Sequence, residues 1–310
     1  MHALICGSFA FDNIMVFHDR FKNHILPDKV HILNVSFLVP EMRREFGGCA
    51  GNIAYNLNLL GGNALPMGTV GEDFGLYEAW INKCGIRRDH VKRIDRTFTA
   101  QAFVTTDLDD NQITAFHPGA MNYAHENKVA DAADVTIGIV SPDGRDGMIQ
   151  HASQFAEANI PFIFDPGQGL PMFDGDDLLR FIEQATWLTV NDYEWQLIQD
   201  RTGLSAEQVA ERLKALIVTR GGEGSRIWTG GKKIEVPVAR VSAMEDPTGC
   251  GDAYRAGILY GLMNDLDWET TGRLAALMGA IKIEKPGTQN HFLETAAIAE
   301  RFKDEFGYSY

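Results

Sequence analysis

Short apolar runs closed by glycine or aspartate alternate with stretches of helical period along most of the chain. "HALICG", "ALPMGTVG", "VTIGIVS", "IPFIFDPG", "ATWLTVND" and "ALIVTRGG" read as strands buried on both faces. Between the first two, "AGNIAYNLNLLGG" places Ile53, Ala54, Leu57 and Leu60 on one apolar helix face, and Gly61 and Gly62 supply the stop. "YEAWINKCG" ends in glycine the same way. Apolar strands joined through helices predict an α/β protein with a mostly parallel sheet and helices on both faces. At 310 residues the chain is read as one domain, 1–310.

One stretch departs from this rhythm. "TAQAFVTTDLDDNQITAFHPGAM" reads as two strands around an Asp/Asn turn with no helix between them. Residues 13–39 also lack a helical period, so about 13–39 and 98–118 together are expected to form a small sheet covering the strand ends. The net charge of -14 gives no support for nucleic-acid binding. No apolar run is long enough to span a membrane, and the first segment has no basic residues ahead of its hydrophobic run. Cys6, Cys49, Cys84 and Cys250 lack the spacing of zinc ligands or of a disulfide framework, which suits a cytoplasmic location.

The chemistry is expected at the C-terminal ends of the strands, where open parallel sheets bind ligands. There "DPTGCGD" runs into the apolar helix "AYRAGILYGLM". Gly249 and Gly251 permit close backbone approach, and free amides at a helix start stabilise an anion such as a transferring phosphoryl group. Asp252 is then placed to take the proton of an attacking hydroxyl. The helix start favours its ionised form, so it is not expected to titrate near pH 7. Alone, the same residues read as a turn and a cap. GxGxxG fails because residue 254 is Tyr254, and no GxxxxGK[ST] occurs, so a P-loop and an N-terminal dinucleotide fingerprint are both absent.

"DPTGCGDAYRAG" resembles the second signature of the ribokinase-like (PfkB) sugar and nucleoside kinases, and "EFGGCAGNIAYNLNLLGG" resembles the first. Their order and separation also match, and "GSFAFD", "FHPGAM" and "NDYEW" look closer still to the bacterial-type adenosine kinases. The resemblance implies a Rossmann-like core with a β lid, ATP as donor, Mg²⁺, and a monovalent cation such as K⁺. It implies Asp252 as base and the amides of Gly249, Cys250 and Gly251 as the anion hole. Asn191 and Glu194 would act on Mg²⁺ through water. Thr219, Arg220, Gly221 and Gly224 would lie at the ATP phosphates, "KPGTQN" along the adenine, and Asp246 and Thr248 at the monovalent cation.

On the acceptor side the resemblance implies Asp12 for vicinal sugar hydroxyls, with Gly48 and Asn52 beside it. Ser8, Ser36 and Gln168 are further candidates. An aromatic wall for a base would come from Phe116, with Phe37 or Phe103 assisting. Ala102 beside Phe103 shifts the second lid aromatic by one position, which in a strand reverses its face. The acceptor reading is the 5'-hydroxyl of a nucleoside, adenosine first; the alternative is a primary hydroxyl of ribose, fructose or a related sugar. The lid is expected to pair two copies into a homodimer.

Overall fold

The computed structural model describes residues 2–25, 34–109 and 111–310. Its larger sheet contains β1 (His2–Cys6), β4 (Ala64–Val70), β5 (His90–Arg93), β8 (Val135–Val140), β9 (Phe162–Phe164), β10 (Trp187–Asn191), β11 (Ala215–Thr219), β12 (Ser225–Thr229) and β13 (Lys232–Val236). Their order is β13-β12-β11-β10-β9-β8-β1-β4-β5. Every pairing from β11 to β5 is parallel, while β12 and β13 close one edge antiparallel.

Successive residues of each central strand enter different cores, which is why these strands read as unbroken apolar runs. Ala3 and Ile5, with Ala215 and Ile217, pack beneath α1 (Cys49–Leu59), α2 (Gly75–Lys83), α7 (Cys250–Met263), α8 (Trp268–Ile283) and α9 (Thr295–Phe306). Leu4 and Cys6, with Leu216 and Val218, pack on the other face beneath α3 (Arg145–Glu157), α4 (Gly175–Gln184), α5 (Asp192–Thr202) and α6 (Ala206–Ala210). Helix α1 differs from the one-faced helix expected: it is buried almost all round, Asn52 and Asn56 included, because α7 covers the side that would otherwise meet water.

A separate sheet has the order β3-β2-β6-β7, built from β2 (Ala10–Val16), β3 (Glu41–Gly47), β6 (Ala100–Thr106) and β7 (Gln112–His117). The last two strands lie where the Asp/Asn turn placed them. The N-terminal pair lies further out than 13–39: β2 starts at Ala10, and β3 begins only after that stretch ends. Within it, residues 26–33 lie outside the described residues.

Candidate active site

Gly249 begins the site. It caps α7 with φ 80°, and a side chain there would press on Thr288. The helix starts at Cys250, three residues before the apolar run that marked it in the sequence, because two glycines hide its first turn from a propensity reading. Gly251 and Asp252 therefore lie inside that turn, where no earlier helical carbonyl receives their amides. The Cys250 amide is already committed, donating to Pro247 O at 3.1 Å. Of the three expected anion-hole amides, it is the one the turn itself uses. Pro247, Thr248 and Gly251 are exposed, so the bend opens to solvent. Burial pushes the Cys250 thiol up to about 11, leaving it a small packed side chain.

Asp252 is held from across the molecule. Asn52 Nδ2 donates to its Oδ2 at 2.7 Å, and Asn52 Oδ1 accepts from Gln289 Nε2 at 2.9 Å. Gln289 Nε2 also donates to the Tyr77 hydroxyl at 2.6 Å, its Oε1 accepts from Trp80 Nε1 at 2.8 Å, and Tyr77 donates to Gly47 O at 2.8 Å. Gln289, read in the sequence as part of an adenine-side loop, is instead buried in this network. Desolvation pushes Asp252 up to about 6, with Asp165 adding, against the Asn52 bond and the Arg255 charge. This corrects the expectation from the helix start alone, because burial of the carboxyl moves it upward.

Beneath the turn lies a charge cluster that sequence reading missed. Arg255 donates to Asp165 Oδ1 at 2.9 Å and lies 4.0 Å from Glu194 Oε2, with Arg255 and Asp165 both buried. The available signal was an arginine in the apolar run "AYRAGIL", which demands a buried acid. The aspartate ending "FIFD" supplies it.

Asp12 sits within β2, paired with Glu45 and Ala102, and Ala102 pairs with Phe116. Partners across strands share a face, so Asp12, Glu45 and Phe116 project together. Burial, reinforced by Glu45 and Asp246, pushes Asp12 up to about 6. Phe103 pairs with Asn13 and Ala115 and therefore points to the opposite face, so it is no part of an aromatic wall beside Phe116. Phe37 packs against Phe17 and Phe21. Ser8 is buried and accepts the Cys49 amide at 3.2 Å. Gly48 caps α1 at φ 86°, against the Ser8 and Phe9 backbone. Ser36 and Gln168 are both exposed, and Gln168 follows β9.

At the other end of the strand row, Asn191 and Thr219 are register partners at the ends of β10 and β11. Asn191 and Glu194 form a capping box: Oδ1 accepts the Glu194 amide at 2.7 Å, and Glu194 Oε2 accepts the Asn191 amide at 2.8 Å. Burial raises Glu194, and Arg255 opposes this. Among the described residues no three acidic, His or Cys side chains converge into a metal cage. Glu194 Oε1 can still meet the water shell of an ion carried by phosphates. Thr219 Oγ1 donates to Val190 O at 3.4 Å. Arg220 is drawn away from a phosphate role, since its guanidinium binds Glu223 and Glu235 at 3.1 and 2.9 Å. Gly221 is exposed at φ 52°, and Gly224 at φ 81° lies against the Val236 carbonyl.

The family model for the pfkB family carbohydrate kinases matches residues 11–296, both glycine turns included. This chain belongs to that family. It is an ATP-dependent kinase with an alcohol group as acceptor. It is 32% identical to a nucleoside kinase of Methanocaldococcus jannaschii over 87% of this chain and 89% of that protein. A Burkholderia thailandensis nucleoside kinase in complex with inosine superposes with TM-score 0.90 at 53% identity, covering 99% of each chain. The same protein in complex with ADP-inosine gives TM-score 0.88 at 55% identity, over 99% of this kinase and 97% of that chain. Among its described residues, no helix of this kinase is long and apolar enough to cross a membrane.

Proposed function

We propose that this kinase transfers the γ-phosphoryl group of ATP to the 5'-hydroxyl of a purine nucleoside, adenosine or inosine, giving the 5'-monophosphate and ADP. The observation that carries the acceptor class is the register row in which Asp12 and exposed Phe116 share one face of the small sheet. A carboxylate for a ribose diol and a ring for a base, on one face with Ala102 between them, match a nucleoside more fully than a free sugar. The relatives named as nucleoside kinases support the same reading.

In this mechanism the Asp252 carboxylate accepts the 5'-hydroxyl proton as the hydroxyl oxygen bonds to the γ-phosphorus and the bond to ADP breaks. The amides of Gly249, Gly251 and Asp252 face the charge that develops on the phosphoryl oxygens. Asn52 holds Asp252 and keeps a second Nδ2–H for the sugar. Thr219, Gly221 and Gly224 bound the nucleotide end, and Glu194 would hold Mg²⁺ through water. That ion, when present with ATP, would supply positive charge against the phosphates. We place the pairing of two copies on the opposite face of the small sheet, where Met42, Phe103 and Ile113 are exposed. The test of the acceptor is product formation from a panel of nucleosides and sugars competing for ATP–Mg²⁺. Preferential phosphorylation of ribose or fructose over every nucleoside would overturn this reading.

A further inference from the structure

One buried ammonium ties together the two backbone segments that flank the glycine turn. Lys282, in the last turn of α8 with no exposed surface, donates Nζ to Asp246 O at 2.6 Å and to Lys285 O at 3.2 Å. Asp246 precedes Gly249 by three residues, and Lys285 precedes Thr288, the residue against which Gly249 packs, by three. The Asp246 carboxylate is committed on both oxygens, Oδ1 to the Thr248 amide and Oδ2 to the Gly287 amide, each at 2.9 Å. Thr248 is exposed. Its place beside Asp246 is where the family resemblance expected a monovalent cation.

This donor set does not fit a dissociable K⁺. Such an ion needs several convergent oxygens, and here two carbonyls already face a fixed cation while both carboxylate oxygens accept amides. A second cation among the same oxygens would lie against the ammonium in a poorly solvated site, where repulsion is strong. Burial works against the charged form of Lys282, and the nearby acidic groups Asp246 and Glu45 oppose this.

We propose that the Lys282 ammonium takes the place of a monovalent cation behind the 249–252 turn, so that this kinase positions the turn with its own charge and needs no K⁺. The proposal rests on reading that turn as the phosphate site. Lys282 is thus a positioning residue: it fixes the carbonyls of both loops and touches no substrate.

The test compares KCl with choline chloride at equal ionic strength, in two measurements on the full chain. In thermal melting without substrates, wild type is expected to have the same Tm in both salts. Lys282→Met is expected to melt lower in choline chloride and to regain stability in KCl as K⁺ fills the vacated site. In turnover with ATP–Mg²⁺ and inosine, wild type is expected to change by less than about twofold between the salts, since a site already filled gains nothing from added ligand. Lys282→Met is expected to be slower and to be restored in part by KCl. A KCl-dependent rise in wild-type Tm, or a KCl stimulation of about tenfold or more, would show a dissociable cation and overturn the proposal. So would a folded Lys282→Met that behaves as wild type. If that variant does not fold, the wild-type arms decide alone. Failure to phosphorylate any acceptor would sink the kinase site while leaving the melting comparison interpretable.

Discussion

Replacing Asn52 with alanine should move the acid limb of the pH–rate profile upward. In the wild type, Asp252 is pushed to about 6 mainly by burial, and the Asn52 bond at 2.7 Å is first among the influences pulling it down. A hydrogen bond to a charged group is worth about 1.5–3 kcal/mol. With about 1.4 kcal/mol for each pKa unit, its loss raises Asp252 by roughly one to two units. In the proposed mechanism only the carboxylate accepts the proton, so activity is full above the pKa and falls as pH drops through it. The half-maximal point of kcat/KM should therefore shift from about 6 to between about 7 and 8, leaving the variant partly protonated at neutral pH. The assay is coupled ADP release between pH 5 and 9, at limiting nucleoside and saturating ATP–Mg²⁺. Gln289→Leu, which frees the Asn52 amide to rotate, should shift the limb in the same direction by less. An unmoved limb in Asn52→Ala, with only KM changed, would refute the reasoning and leave Asn52 as a sugar contact alone.

Asp252→Asn should keep ATP binding near the wild-type value while lowering turnover by about two or more orders of magnitude; isothermal titration with single-turnover kinetics separates the two, and wild-type-like turnover would exclude the base role. Phe116→Ala should raise KM for nucleosides far more than for ribose, and equal losses on both would argue against stacking. Asp143 is buried and pushed up to about 8, so the folded chain holds a proton there that the unfolded chain has released. That group stabilises the fold fully below its ordinary carboxylate pKa, and its contribution is lost as pH rises towards about 8. Wild type should lose urea stability between pH 6 and 8 while Asp143→Asn does not; parallel losses in both would assign the slope elsewhere. Met42→Asp with Ile113→Asp should leave a monomer by sedimentation, and an unchanged dimer would move the interface to another face.

Much of the architecture was written in local pattern. Alternating short apolar runs and helices forecast the two-sided sheet because each strand must satisfy both cores, Ile5 one and Cys6 the other. The turn at Gly249 was equally legible, since its conformation demands glycine. What local pattern could not supply was pairing over distance: Arg255 meets Asp165 across 90 residues, and Gln289 meets Asn52 across 237. Facing was only half legible. The one-residue displacement of Phe103 warned of a reversed side chain, but the register with Asn13 was needed to say which face it took. Arg220 misled for a related reason, because a cation in a glycine loop looks unclaimed until Glu235 arrives on the neighbouring hairpin strand.

Ala102 occupies the seat beside Phe116 where a second ring would have made a vice. A base resting against a single plane is gauged by its area alone, since stacking is indifferent to which polar atoms decorate the ring's rim. With the proposed stacking of the base on Phe116, the acceptor range would follow from a methyl group's worth of empty width at Ala102. Enlarging that one side chain would then narrow the set of rings that fit.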